Sequence, residues 1–308
     1  MPTDEALGPG LRVLERGWLS SNNILLGGDD DGVALIDSGH CVHAEQTVAL
    51  LRQQLGTQPL RELINTHLHS DHCGGNAAIQ REWQVPIRVP GGSWNAVQAW
   101  DEVALSHAPT RQRCERFSAQ GTVHPGQVLQ IGERVWQVLA APGHDPESVM
   151  LFDEQHGVLI SADALWENGF GVVFPELEGD DAFDEVAQVL DLIETLPMRC
   201  VIPGHGAPFS DVAAALQRAR SRLASYRADP SRHLRHGAKV LLKYHMMEEQ
   251  HQGLEALREW MADTPFLDLI WSGLGRPAGR RAAWCEQLLQ DTLASGVLVQ
   301  RGSSVHDA

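Results

Sequence analysis

The sequence lacks several features that would each point to a particular class of protein. Its five cysteines are odd in number and include no C-x-x-C pair, which argues against a disulfide framework and against a thiolate zinc site. No apolar run approaches the roughly 18 residues that a membrane span needs. The acidic stretch Met1-Pro2-Thr3-Asp4-Glu5 has neither the basic nor the apolar region of a secretory signal. We therefore expect a cytoplasmic protein with no membrane partner.

Basic charge is also scarce, and it is unevenly distributed. The net charge of −16 argues against nonspecific nucleic-acid binding, which needs a basic face. Residues 1–210 carry 11 basic and 29 acidic side chains, whereas residues 211–308 carry 13 and 11. This change of character predicts a boundary, with one domain over residues 1–210 and a second over residues 211–308.

The first part of the chain alternates short apolar segments with amphipathic ones, which is typical of a layered α/β domain. The predicted helices are Ala44–Leu55, Asn76–Trp83 and Ala182–Leu196. The predicted strands are Asn23–Leu26, Val33–Ile36, Leu63–Asn65, Val135–Leu139, Val149–Phe152, Val158–Ser161 and Cys200–Ile202.

From Asp211 onward the pattern is mainly helical. Helical spacing predicts helices over Val212–Tyr226, His233–Met247, Gly253–Met261 and Arg280–Ala294, with one short strand at Val297–Val299.

One dense polar segment follows the predicted strand Leu63–Asn65. It reads Asn-Thr-His-Leu-His-Ser-Asp-His-Cys-Gly-Gly-Asn, so three imidazoles and a carboxylate lie within six residues: His67, His69, Asp71 and His72. These groups are costly to bury unless a cation satisfies them, and zinc, iron and manganese accept this mixture of donors.

Further donors of the same types follow the ends of later predicted strands. His144 lies in Pro-Gly-His-Asp, Asp163 in Ser-Ala-Asp, and His205 in Pro-Gly-His-Gly. Strand ends that converge on one rim are where α/β folds build their sites. The sequence therefore predicts one metal centre assembled from four separate segments.

The H-x-H-x-D-H motif, followed by separate His, Asp and His positions, resembles the glyoxalase II-like branch of the metallo-β-lactamase superfamily. The likeness covers about residues 11–210 and includes the D-x-G turn at Asp37. It implies an αββα sandwich carrying a C-terminal, mainly helical, winged-helix-like domain. One metal ion would be bound by His67, His69 and His144, and the other by Asp71, His72 and His205, with Asp163 bridging the two.

The resemblance also implies a mechanism. A hydroxide that bridges two divalent metals, most simply zinc with iron or manganese as alternatives, would attack a carbonyl carbon. Asp71 would orient the attacking water and manage its proton. Asp37 is either a support for the ligand loop or only a turn residue. No serine or cysteine nucleophile is needed.

The resemblance leaves the substrate open. We expect a metal-dependent hydrolase that acts on a small thioester or acyl ester. The alternatives are a lactonase, a persulfide dioxygenase with one iron, and an endoribonuclease for which the tail would bind nucleic acid. Trp166 and Phe170 follow Asp163 closely, so they are either core residues or walls of the substrate pocket.

The last expectation concerns the basic segment Arg218–Lys243, which contains eight cationic side chains and one acid, Asp229. Charge runs of this kind are usually solvated faces or pair with an acidic neighbour. The alternative is that part of the segment lies over the metal rim and binds an anionic substrate, with Arg232, Arg235 and Lys239 as the residues involved.

Overall fold

The computed structural model describes residues 7–28 and 32–308. The prediction made from residues Met1 to Glu5 lies outside the described residues. Among the described helices, none combines the length and the apolar character needed to cross a membrane.

Two stacked β-sheets lie at the centre of the fold. The first sheet has the order β1-β2-β3-β4-β5-β6, antiparallel from β1 to β3 and parallel from β3 to β6. Its strands are β1 Leu11–Leu14, β2 Asn23–Gly27, β3 Val33–Ile36, β4 Leu60–Ile64, β5 Ile87–Pro90 and β6 Gly121–Val123.

The second sheet has the order β11-β10-β9-β8-β7. Its β10–β11 pair is parallel, and its other pairs are antiparallel. Its strands are β7 Val128–Ile131, β8 Arg134–Ala140, β9 Val149–Asp153, β10 Val158–Ala162 and β11 Cys200–Pro203.

The sheets stack because their central strands are apolar on both faces. In β3, Ala34 and Ile36 contact the second sheet, while Val33 and Leu35 contact the helices outside. This is the behaviour of strands buried between two layers. The helices covering the first sheet are Ala44–Leu55, Asn76–Trp83 and Trp94–Ala99, and those covering the second are Phe183–Thr195 and Val212–Ala228. The predicted αββα sandwich is confirmed.

The tail contains more strands than the sequence predicted. Its helices are Val212–Ala228, Pro230–Glu249, Leu254–Asp263, Pro265–Gly273 and Arg281–Ala294. Three short strands, β12 His251–Gly253, β13 Leu298–Arg301 and β14 Ser304–Asp307, pair in the order β12-β14-β13. Only β13 was expected, because β12 and β14 are three or four residues long and largely polar, so they carry no apolar run.

The tail beyond its first helix packs around one core cluster, which also includes Val172 and Leu177 from the earlier part of the chain. Side chains of Val212–Ala228 pack against Phe183–Thr195 in the outer layer of the sandwich. The following helix, Pro230–Glu249, is here called the long tail helix, and it packs with the later tail helices. The predicted boundary between residues 210 and 211 stays a prediction.

Candidate metal centre

The first group of donors consists of three histidines, two from the segment after β4 and one from the segment after β8. His67, His69 and His144 each offer a nitrogen, and these three atoms lie within 4.8 Å of one another. His144 Nε2 is 2.8 Å from His69 Nδ1 and 3.2 Å from His67 Nε2. All three residues are buried. Their lone pairs therefore face a common point.

A second group of donors lies beside the first. Asp71, His72, Asp163 and His205 each place one donor atom within 4.8 Å of the others. Asp71 Oδ2 is 2.9 Å from His205 Nε2. Asp163 faces both groups, because its Oδ1 is 3.4 Å from His72 Nε2 and its Oδ2 is 3.4 Å from His144 Nε2. The structure thus brings together all seven residues that the sequence singled out.

Neighbouring acceptors fix two of the imidazole rings. Asp37 Oδ2 accepts a hydrogen bond from His72 Nδ1 at 2.8 Å, and the carbonyl of Val172 accepts one from His144 Nδ1 at 2.6 Å. Metal-binding histidines are usually held in this way, with the second ring nitrogen left for the metal. Asp37 also has a φ of 55° and accepts from the Thr66 amide at 2.9 Å. It is therefore both a turn residue and a support for the ligand loop.

The protonation states of the first group suit metal binding. Burial lowers the pKa of His69 and of His144 to about 4 in each case, and burial with the neighbouring imidazoles lowers the pKa of His67 well below its ordinary value. These rings are consequently neutral near pH 7, with lone pairs available.

The second group concentrates negative charge. Burial alone would raise the pKa of Asp71 and Asp163, but the imidazoles of His72 and His205 outweigh it and lower both. Burial alone would lower the pKa of His72, but Asp163, Asp71 and Asp37 outweigh it and raise the pKa well above the ordinary value. His72 Nε2 nevertheless has no hydrogen-bond partner among the described residues. These buried donors fit divalent cations, which would satisfy the charge and the unpaired nitrogen together.

A cavity of about 580 Å³ opens directly onto these donors. The aromatic side chains of Trp18, Trp166 and Phe174 line the cavity, as do several residues of the long tail helix. Trp166 Nε1 donates to Asp163 Oδ1 at 3.1 Å. Of the two aromatic residues after the bridging aspartate, Trp166 therefore lines the cavity, whereas Phe170 packs in the outer core.

Sequence reasoning missed Tyr244, which reaches the centre from the long tail helix. Its hydroxyl lies 3.2 Å from Asp71 Oδ2 and 2.8 Å from the Trp18 carbonyl. Burial, then Asp71 and Asp163, raise the pKa of this phenol well above its ordinary value, so it keeps its proton. The available signal was weak: Tyr244 is one of two tyrosines in the chain.

Some cations of the basic segment Arg218–Lys243 pair with acidic residues of the sandwich, and others line the cavity. Arg220 pairs with Asp191 and Glu194, and Arg227 pairs with Asp184, so these cations hold the first tail helix against the sandwich. Three other cationic side chains line the cavity: Arg222, Lys239 and Lys243. His236 lines it too, but burial lowers the pKa of His236 to about 4, so this ring is neutral near pH 7.

Three residues of the segment were named as candidate contacts for an anion. Of Arg232, Arg235 and Lys239, only Lys239 lines the cavity. Arg232 instead lies near Asp229, one turn earlier along the chain. Lys243 lines the cavity too, but it forms an ion pair with Asp307 at 2.6 Å.

The fold and the buried donor groups define a metal-dependent hydrolase. A family model for the metallo-beta-lactamase superfamily matches residues 16–205, and the chain belongs to that superfamily.

The chain is similar to two curated hydrolases. It is 25% identical over 163 residues to the acyl-coenzyme A thioesterase MBLAC2 of Gallus gallus, covering 49% of this chain and 57% of that protein. It is 27% identical over 161 residues to the hydroxyacylglutathione hydrolase of Legionella pneumophila (strain Lens), covering 51% and 52%. The match thus spans little more than half the length of each relative.

One solved structure matches nearly the whole chain. A metallo-beta-lactamase family protein of Thermus thermophilus has a TM-score of 0.57 at 21% sequence identity, covering 98% of this chain and 100% of that chain. The likeness extends over the tail as well as the sandwich.

Proposed function

We propose that this chain hydrolyses a small thioester or related acyl ester with an anionic end, using two divalent metal ions, most simply zinc. The observation that carries the proposal is the position of Asp163, which faces both donor groups at the floor of one cavity. His67, His69 and His144 would bind one ion, and the second group of donors would bind the other. The pair of ions would supply an activated water and a Lewis acid for the carbonyl oxygen.

The residues of the chain hold and orient the reacting groups. Asp71 Oδ2 faces His205 on one side and the Tyr244 hydroxyl on the other, so its lone pairs are directed from both sides. The single proton of Tyr244 has two acceptors, the Trp18 carbonyl and Asp71. A substrate oxygen that enters the cavity beside Tyr244 is therefore near a donor that can turn towards it.

The walls of the cavity indicate the kind of substrate. The aromatic side chains of Trp18, Trp166 and Phe174 in the lining suit an acyl chain. Lys239 also lines the cavity, and no ion-pair partner for it lies within residues 7–28 and 32–308. An unpaired cation at the cavity wall suits a carboxylate or phosphate. The similarity to an acyl-coenzyme A thioesterase supports the same substrate class.

The proposal includes a cytoplasmic location, in keeping with five free cysteines. Nucleic acid is not the proposed substrate, since the cationic side chains of the first tail helix are engaged with the sandwich.

The test is to measure the metal content of the purified protein and then to assay one preparation against several substrates. Acyl thioesters should be hydrolysed with at least two metals bound per chain. Neutral lactones, glutathione persulfide and single-stranded RNA serve as comparison substrates. A single iron with persulfide oxidation, or RNA cleavage without thioester hydrolysis, would refute the proposal.

A further inference from the structure

A second cluster of donors lies beside the ligand loop, outside the candidate metal centre. Cys73 ends the short helix Ser70–Cys73, His107 begins the helix His107–Thr110, and Cys114 follows in the next loop. One donor atom from each lies within 4.8 Å of the other two. We propose that Cys73, His107 and Cys114 form a third metal site, for one thiophilic divalent ion such as zinc.

The distance between the two sulfurs matches a shared ion. Cys73 Sγ and Cys114 Sγ are 3.7 Å apart. Two sulfurs bound tetrahedrally at about 2.3 Å from a zinc ion would be about 3.8 Å apart. A disulfide would require about 2.05 Å. The observed separation is that of two thiols in contact, either of which can donate to the other, and it also fits one ion bound by both sulfurs.

The imidazole of His107 has the hydrogen bonding that is typical of a metal ligand. His107 is 2% exposed, its Nε2 donates to the Leu68 carbonyl at 3.0 Å, and its Nδ1 has no hydrogen-bond partner in the described part of the chain. Histidines that bind metals commonly donate one ring N–H to a backbone carbonyl and bind the ion through the other nitrogen. The Cys73 thiol also donates to Leu68, at 3.3 Å.

The proposed third site is partly open to solvent, and its loop contacts the cavity and the long tail helix. Cys73 is buried, but Cys114 is partly exposed, which leaves room for an ion to enter and for a water as fourth ligand. Next to Cys114, Gln112 lines the cavity and Arg113 pairs with Glu248 of the long tail helix. An ion here would fix this loop to the segment that carries the dinuclear ligands.

Cobalt(II) distinguishes this site from the proposed dinuclear centre. The seven donors of that centre are all nitrogen or oxygen, so cobalt bound there gives no thiolate-to-metal charge transfer. Metal-free protein titrated with cobalt should develop a near-ultraviolet charge-transfer band, and zinc should displace it. The wild type should bind about three zinc ions per chain and Cys114→Ser about two. The band should be absent in Cys114→Ser.

Cys41→Ser is the matched control, because Cys41 is also partly exposed and lies outside the donor cluster. It should keep the band. If Cys114→Ser does not fold, alkylation of native wild-type thiols with and without zinc replaces it. Of the two partly exposed cysteines, zinc should protect Cys114 and leave Cys41 reactive.

A wild-type protein without the band would overturn the proposal, even if it bound two metals and hydrolysed thioesters. Two fewer titratable thiols than five in denatured, unreduced protein would overturn it in favour of a Cys73–Cys114 disulfide. Conversely, the band would persist in a protein with no hydrolase activity, so this test is independent of the proposed function.

Discussion

The substitution Asp37→Asn tests whether metal affinity depends on the support behind the ligands. Asp37 Oδ2 faces His72 Nδ1 at 2.8 Å and accepts from the Thr66 hydroxyl at 2.7 Å. Its Oδ1 accepts from the Thr66 amide at 2.9 Å. An asparagine that keeps its oxygen on the Thr66 amide presents its NH₂ group to His72 Nδ1. A neutral His72 whose Nδ1 accepts from this group carries its proton on Nε2, which is the nitrogen that the metal needs.

The expected loss follows from this exchange of tautomers. Replacing the partners that orient metal ligands lowers metal affinity by about 10- to 100-fold, which corresponds to about 1.4 to 2.7 kcal/mol. The volume of the side chain hardly changes, so the loss should appear in metal affinity more than in the stability of the metal-free protein. Competition between the protein and a chelator of known affinity measures it, alongside denaturant unfolding of the metal-free form.

Glu176→Gln is the matched control. Its carboxylate also accepts backbone N–H groups, from Ala182 and Phe183 at 2.7 Å each, but no imidazole is among its described partners. This change should leave zinc affinity unaltered. Equal affinity in wild type and Asp37→Asn would refute the orienting role and leave Asp37 as a turn residue. Equal losses in both variants would indicate general damage.

Four further outcomes are expected. Asp163→Ala should nearly abolish thioester hydrolysis and lower bound metal, because it removes the carboxylate that faces both groups; retained turnover would contradict the dinuclear proposal. Tyr244→Phe should lower kcat about 10- to 1000-fold with normal metal content if the hydroxyl stabilises the reacting oxygen, whereas a rise in KM alone would assign it to binding. Lys239→Gln should raise KM for an anionic thioester and leave a neutral ester unaffected, while Arg235→Gln, outside the cavity, should change neither. His233 accepts from the Val173 amide at 3.1 Å, and burial, then His236, lower the pKa of His233 to about 3. As pH falls, His233 is protonated in the unfolded chain before it is protonated in the folded one, so its contribution to the free energy of unfolding is lost between about pH 6.5 and 3. Urea unfolding should therefore depend less on pH in His233→Gln than in wild type.

Much of the centre could be predicted because its donors follow strand ends. His144, Asp163 and His205 each lie within four residues of the end of a strand, so the same pattern that predicts the strand also places the donor at the rim. The central strands were predictable for a similar reason, since both faces of β9 and β10 are buried and their sequences are continuous apolar runs.

The remaining parts depend on packing that no local pattern records. Tyr244 lies 173 positions from Asp71, and the two meet only because the long tail helix docks over the rim. The edge strand β7 alternates exposed and buried residues over four positions, which is too short for a clear period. Cys73 and Cys114 are 41 residues apart, so cysteine spacing gave no sign of their contact.

The long tail helix has two faces with different duties. Ala238, Leu242 and Met246 pack in the tail core, while Lys239 and Tyr244 line the cavity. A ligand in the cavity therefore touches both the sandwich and the tail, and its binding free energy also favours the docked arrangement of the two. By thermodynamic reciprocity, whatever loosens the docking weakens the ligand to the same extent. Amide hydrogens of this helix should consequently exchange more slowly with solvent when the cavity is filled. Hydrogen exchange in the tail would then report whether the cavity is occupied, although none of the seven metal-binding residues lies in the tail.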